Sequence, residues 1–171
     1  MLLICVVVNR KIKCPLLEVK IKKIEKLKGR GNVIEFFMPM KIPTVTHQQK
    51  KVAVKNGKPI FYEDKRLQDA REKFMSYLSH FVPYERIENV PIRLTTKWLF
   101  ESGNLVKHYD GEYKITKPDT DNLVKLLKDC MTESQFWKDD ALVASEIIEK
   151  FWAKTPGIYV KVEVLDNGFL G

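Results

Sequence analysis

Cysteine, histidine and long apolar runs are all scarce in this chain, and each scarcity removes a class of protein. The three cysteines, Cys5, Cys14 and Cys130, form no close pair and have no histidine at metal-ligand spacing, which argues against a zinc site and against a disulfide framework. So few cysteines fit a reducing compartment, and a cytoplasmic protein is expected. No apolar run approaches the roughly 20 residues that a membrane-spanning helix needs, so no membrane partner is expected. The opening Leu2-Leu3-Ile4-Cys5-Val6-Val7-Val8 is apolar but has no basic stretch before it and no small-residue cleavage site after it, so it reads poorly as an export signal. Internal repeats and low-complexity segments are absent too.

Acidic residues are in deficit, with 22 Asp and Glu set against 30 Lys and Arg, for a formal net charge of +8. That excess favours a polyanionic partner, of which nucleic acid is the commonest, although charge alone says nothing of the fold. With 171 residues, 44% of them hydrophobic, the chain is long enough for one domain with a real core and too short for two ordinary ones. Residues 1–31 stand apart, because lysines recur at almost every other position from Lys20 and lead to Gly29-Arg30-Gly31. We read 1–31 as a basic N-terminal extension and 32–171 as the domain. An added strand, a loose DNA contact and an upstream start codon are all compatible with the extension.

From Asn32 the pattern becomes orderly. Val33-Ile34-Glu35-Phe36-Phe37-Met38 reads as a strand that stops at Pro39. Val52-Ala53-Val54 and Ile60-Phe61-Tyr62 flank Asn56-Gly57, the pair that most readily takes the two positive φ angles of a type I′ turn, so a hairpin is expected there. Leu67, Ala70, Phe74, Leu78 and Phe81 recur at three- and four-residue steps and predict a helix that ends by Val82, before Pro83. Val90 to Glu101 reads as a strand, Ser102 to Lys117 as a mobile polar loop, and Asp121 to Met131 as a short helix. Leu142 to Phe151 and the alternating Gly157 to Val164 read as strands.

The chemistry concentrates around the short helix. At about 100° per residue, Leu123, Leu126, Leu127 and Cys130 fall on one side and Asp121, Lys125 and Lys128 on the other. The helix therefore buries its leucines and presents a carboxylate with an ammonium one turn below. Asp119 follows Pro118 where the chain is still extended, so both carboxylates can converge at the helix entrance, and Asp140 of Trp137-Lys138-Asp139-Asp140 can join them from the next strand. Magnesium and manganese prefer such oxygen donors, leaving further positions to water and substrate phosphate. A metal so held activates water and neutralises charge on a phosphodiester, and Lys125 would add a positive charge beside the phosphate or help protonate the leaving group. The plainer reading is that Asp119 and Asp121 cap the helix, that Asp139-Asp140 is a solvated turn, and that Lys125 pairs with Asp121.

Taken together, Lys117-Pro118-Asp119-Thr120-Asp121-Asn122-Leu123-Val124-Lys125, then Asp129, then Phe136-Trp137-Lys138-Asp139-Asp140 resembles the signature of RusA-type Holliday junction resolvases in spacing and residue type. The resemblance spans about Val33 to Val164 and is strongest from Lys117 to Lys150. It implies a homodimer of α+β single domains, each a small mixed sheet with about two helices, that nicks four-way DNA junctions symmetrically in recombination and repair. It implies magnesium as the cofactor, with manganese an alternative. Asp119, Asp121 and Asp140 would be the metal-binding catalytic acids and Lys125 the essential lysine, while Lys150 falls where many members carry a basic residue. Leu142 departs from a common glutamine, and Pro43 to Lys51 differs from the Arg-rich version of some members.

Nuclease acids repel DNA, so nearby cations must hold the backbone. Lys50, Lys51, Lys107, His108, Lys114 and Lys117 are the candidates, with Lys41 and His47 beside them; any one of them is equally readable as a solvated side chain. Trp98, Phe100 and Phe136 are expected in the core, whereas Trp137, next to the acids, is the aromatic placed to meet a base. Two readings stay beside the resolvase: a less selective flap or fork nuclease, and a non-catalytic DNA-binding protein whose acids only cap a helix.

Overall fold

Alternation of apolar and polar residues builds most of this chain's sheet; the computed structural model describes residues 12–14, 17–19, 33–43, 50–55, 58–63, 65–103 and 107–165. In chain order the elements are β1 (Ile12–Cys14), β2 (Leu17–Val19), β3 (Val33–Pro39), β4 (Lys50–Lys55), β5 (Lys58–Glu63), α1 (Lys65–Leu78), β6 (Ile92–Glu101), α2 (Thr120–Glu133), a 3-10 turn (Asp140–Leu142), β7 (Val143–Ala153) and β8 (Gly157–Val164). Strands β3, β8, β6 and β7 form a four-stranded sheet in that spatial order. β8 is antiparallel to both neighbours, while β6 and β7 run parallel, so the chain must cross over between them. That crossover carries α2. The architecture is α+β, as expected.

The register explains the core. Ile34, Val162 and Leu94 share one cross-strand row; Phe36, Val160 and Thr96 share the next; Met38, Ile158 and Trp98 share a third. All nine are buried. Leu67, Ala70, Phe74 and Leu78 on α1 and Leu123, Val124, Leu126, Leu127, Cys130 and Met131 on α2 join them in one hydrophobic cluster. Phe74 meets Trp98 edge-on at 6.4 Å between ring centroids, which fixes α1 over β6. Each large side chain removed from water here contributes about 1.5–3 kcal/mol. Trp98 satisfies its indole N–H by donating to Thr96 Oγ1 at 3.0 Å. Gly157 starts β8 where a Cβ would lie 2.7 Å from the Met38 carbonyl oxygen, so the close approach of β3 excludes a side chain.

Helix α1 ends at Leu78, earlier than its apolar spacing reaches. The N–H groups of Ser79, His80 and Phe81 bond to the carbonyls of Met75, Tyr77 and Leu78 in tightening turns, and Phe81 instead stacks on Phe36 with 4.4 Å between centroids. β4 and β5 pair as the expected hairpin, with Lys55 opposite Lys58; Asn56 and Gly57 lie outside the described residues. β1 and β2 pair with each other, and the rest of 1–31 lies outside the described residues. Among the described residues no helix is long and apolar enough to cross a membrane.

Candidate functional site

Helix α2 begins in an unusual way for a segment with aspartate at its start. Asp119 occupies the N-cap position with extended backbone angles, φ −74° and ψ 151°, yet its side chain makes no capping hydrogen bond. Aspartate is favoured there because its carboxylate accepts from the second or third amide of the helix. Here the carboxylate is exposed instead. Asp121 lies in the first turn, also exposed, where the partial positive charge of the helix end favours a carboxylate. Lys125 is exposed one turn further on. The leucine face packs inward as its spacing predicts.

The segment entering α2 is fastened from below. The Lys150 ammonium on β7 donates to the carbonyls of Thr116 at 3.0 Å and Pro118 at 2.8 Å, and the Lys117-Pro118 peptide is cis. The stretch expected to be a mobile loop is tied down over much of its length. Gly111 and Lys114 donate backbone N–H groups to the Trp152 and Lys150 carbonyls at 2.9 Å each, and Trp152 donates back to the Glu112 carbonyl at 2.8 Å. This segment thus covers the outer edge of β7, which would otherwise expose unpaired amides. Residues 104–106 lie outside the described residues.

Asp140 stands in the 3-10 turn that precedes β7, not on the strand itself. Its neighbour Asp139 caps that turn, accepting the Ala141 N–H at 2.8 Å, so the two adjacent exposed carboxylates divide: one is bonded to the turn, the other has no partner among the described residues. The turn touches α2. The approach to it is clamped, because Ile87 donates to the Phe136 carbonyl at 3.1 Å and Lys138 to the Ile87 carbonyl at 3.0 Å. Trp137 is fully buried and donates its indole N–H to Thr132 Oγ1 at 2.7 Å. It belongs to the core with Trp98, Phe100 and Phe136, so the expectation of an exposed stacking tryptophan is corrected.

The three acids are therefore on adjoining elements, and none of their carboxylates has a hydrogen bond or ion pair among the described residues. They are not drawn into a preformed cage: among the described residues no three metal-ligating side chains stand together. The donor set still suits a hard cation, being carboxylate oxygens open to water with no competing cation bound to them.

The surrounding cations separate by role. Lys128 is spent on Glu146 of β7 at 3.0 Å, whereas Lys125 has no partner among the described residues. Lys107 and Lys117 are exposed on the way to Asp119, and Lys41 is exposed after β3. Half-buried His108 stacks on Trp152 with 4.6 Å between centroids and turns Nδ1 toward the Glu112 carboxylate at 3.2 Å. Lys114 goes inward: it is 7% exposed, its ammonium lies 4.2 Å from the Trp152 ring centroid, and it donates to Thr116 Oγ1. Burial, followed by the charge of Lys150, holds its ammonium below the ordinary lysine range. That placement leaves little of Lys114 open to solvent. Lys50 and Lys51 lie on β4, and His47 lies outside the described residues.

Spacing alone does not reveal that Lys150 and Lys114 grip the 116–118 turn. The alternation of Glu112-Tyr113-Lys114-Ile115 signals a strand edge but points the wrong way, because Tyr113 and Ile115 are exposed and Lys114 is buried.

A family model described as endodeoxyribonuclease RusA matches residues 41–163, well over half of the chain. A protein of Lactococcus phage r1t named as a crossover junction endodeoxyribonuclease, rusA, is 32% identical over 104 residues, covering 60% of this chain and 76% of that protein.

Proposed function

The chain belongs to the RusA family of endodeoxyribonucleases, and on that premise we propose that it resolves four-way DNA junctions by paired symmetrical nicks that depend on a divalent metal. The observation that carries the reading is the idle N-cap: Asp119 stands where a capping carboxylate belongs, and withholds it. With Asp121 and Asp140 it supplies oxygen donors suited to magnesium, or to manganese. Bound there, the metal would lower the pKa of a water and neutralise charge on the scissile phosphate.

The chain's own residues do the rest. Lys125, on the exposed face of α2, supplies a positive charge for the phosphate or a proton for the departing oxygen. Lys107 and Lys117 hold the DNA backbone near the acids, with Lys50, Lys51 and His108 as further contacts, so affinity falls as salt rises. A four-way junction has two-fold symmetry, and a two-fold homodimer would set one site on each of two opposed strands. The setting is cytoplasmic DNA recombination and repair.

The test is cleavage of a labelled four-way junction by wild-type and Asp121→Asn protein in magnesium, manganese or EDTA, beside flap and duplex controls. Paired nicks from wild type alone, abolished by EDTA, are expected. Junction binding without cutting in any metal would leave a DNA-binding module whose acids are merely exposed, and equal cutting of flaps would make the enzyme a less selective nuclease.

A further inference from the structure

We infer that Lys150 is a positioning residue for the acid turn: its ammonium holds the Thr116 and Pro118 carbonyls and so fixes the backbone that presents Asp119. The inference rests on the reading of Asp119 as a metal ligand. In the sheet Lys150 pairs with Trp98, which continues the row of Met38 and Ile158 onto β7, so its side chain rises on the face covered by the helices. A lysine there would ordinarily turn outward to water or find a carboxylate. This one has no carboxylate partner among the described residues and spends two donors on neutral carbonyls, those of Thr116 and Pro118, the latter immediately before Asp119.

A second ammonium acts on the same turn. Lys114, clamped near the Phe100 and Trp152 rings at 5.2 Å and 4.2 Å, donates to the Thr116 hydroxyl. Two like charges so near one another oppose folding; the proton affinity of Lys114, lowered first by burial, is lowered further by Lys150. Ordinary helix anchoring does not need that arrangement, since neutral donors would serve. What two cations add is rigidity at a turn whose next residue offers a carboxylate to a metal, together with a positive field behind that carboxylate. Contacts that orient a ligand from behind govern metal affinity as well as rate.

The experiment compares Lys150→Met, which keeps the stem and loses the donors, with Lys150→Arg, which can donate to both carbonyls. Manganese binding is read by calorimetry on DNA-free protein, and single-turnover cutting on pre-bound junction. In Lys150→Met, manganese affinity and cutting are each expected to fall about 10- to 100-fold, the range typical of supporting contacts to a metal site, with junction affinity close to wild type. Lys150→Arg is expected to recover most of both. Wild-type manganese affinity in Lys150→Met overturns the inference, as does equal loss in the arginine variant. Should Lys150→Met fail to fold, Lys150→Gln, whose shorter side chain ends in an uncharged amide, takes its place in the comparison, and the same two results overturn the inference. Asp119→Asn run alongside separates the two readings. If it loses manganese while Lys150→Met does not, only the positioning role fails; if it keeps manganese, the metal-ligand reading fails and takes the positioning role with it.

Discussion

Two aspartates in this protein occupy the same kind of position and do opposite things. Asp139 begins the 3-10 turn and uses its carboxylate on the Ala141 amide; Asp119 begins α2 and leaves its amides without it. The same division recurs among lysines on one helix, where Lys128 is tied to Glu146 and Lys125 has no partner among the described residues. In each pair one member is bonded within the fold and the other has no partner among the described residues. Residue type therefore predicts little; what separates the members is whether the fold has used the charge. Charges that the fold leaves unused at and beside one helix entrance, on a protein of this family, are the candidates for its site.

That contrast breaks or holds in five measurements. The largest effect belongs to Asp119→Asn, for which metal-dependent junction cutting should fall at least about 1,000-fold, the upper end of what one lost electrostatic contact costs in an active site, with an unchanged melting temperature. Lys125→Gln should slow single-turnover cutting about 100-fold with junction binding retained. Asp139→Ala should instead lose about 1 kcal/mol of stability in urea unfolding, the usual worth of a cap, and still cut. Lys128→Gln should leave cutting intact and cost under about 1 kcal/mol, as partly exposed ion pairs do. The smallest effect is the most telling: Asp119→Ala should change stability by less than about 0.5 kcal/mol, because no capping bond is lost. A drop as large as that of Asp139→Ala would show that Asp119 caps after all and erase the contrast.

Much of this is legible in the sequence because it is local. The two-residue period of Gly157–Val164, the hairpin around residues 56 and 57 and the leucine face of α2 depend on near neighbours, and the strands and helix form where the patterns point. The acids are legible for the same reason, since Asp119 and Asp121 are fixed by one helix start. What is not legible depends on distant partners. Lys114 and Lys117 are alike as letters, yet one is buried by Phe100 and Trp152 and the other is exposed. Trp137 stands beside the acids in sequence, but the Thr132 hydroxyl and the Ile87 bridge draw it inward. The stretch before Lys117 reads as mobile because its hydrogen-bond partners lie on β7, beyond the whole of α2.

The position of β8 has a consequence for how the protein is made. The last strand of the chain sits between β3 and β6, so β3 has no neighbour in the sheet until residues 157–164 have been synthesised. A nascent chain on the ribosome, or one released early by a nonsense codon ahead of Gly157, holds Asp119, Asp121 and Asp140 but lacks the strand that joins β3 to β6. Strands far apart in sequence pair late, because chain entropy is lost before the contacts form. A nuclease wired this way comes into being as a whole, and truncated fragments of it are poorly placed to cut the DNA of the cell that makes them.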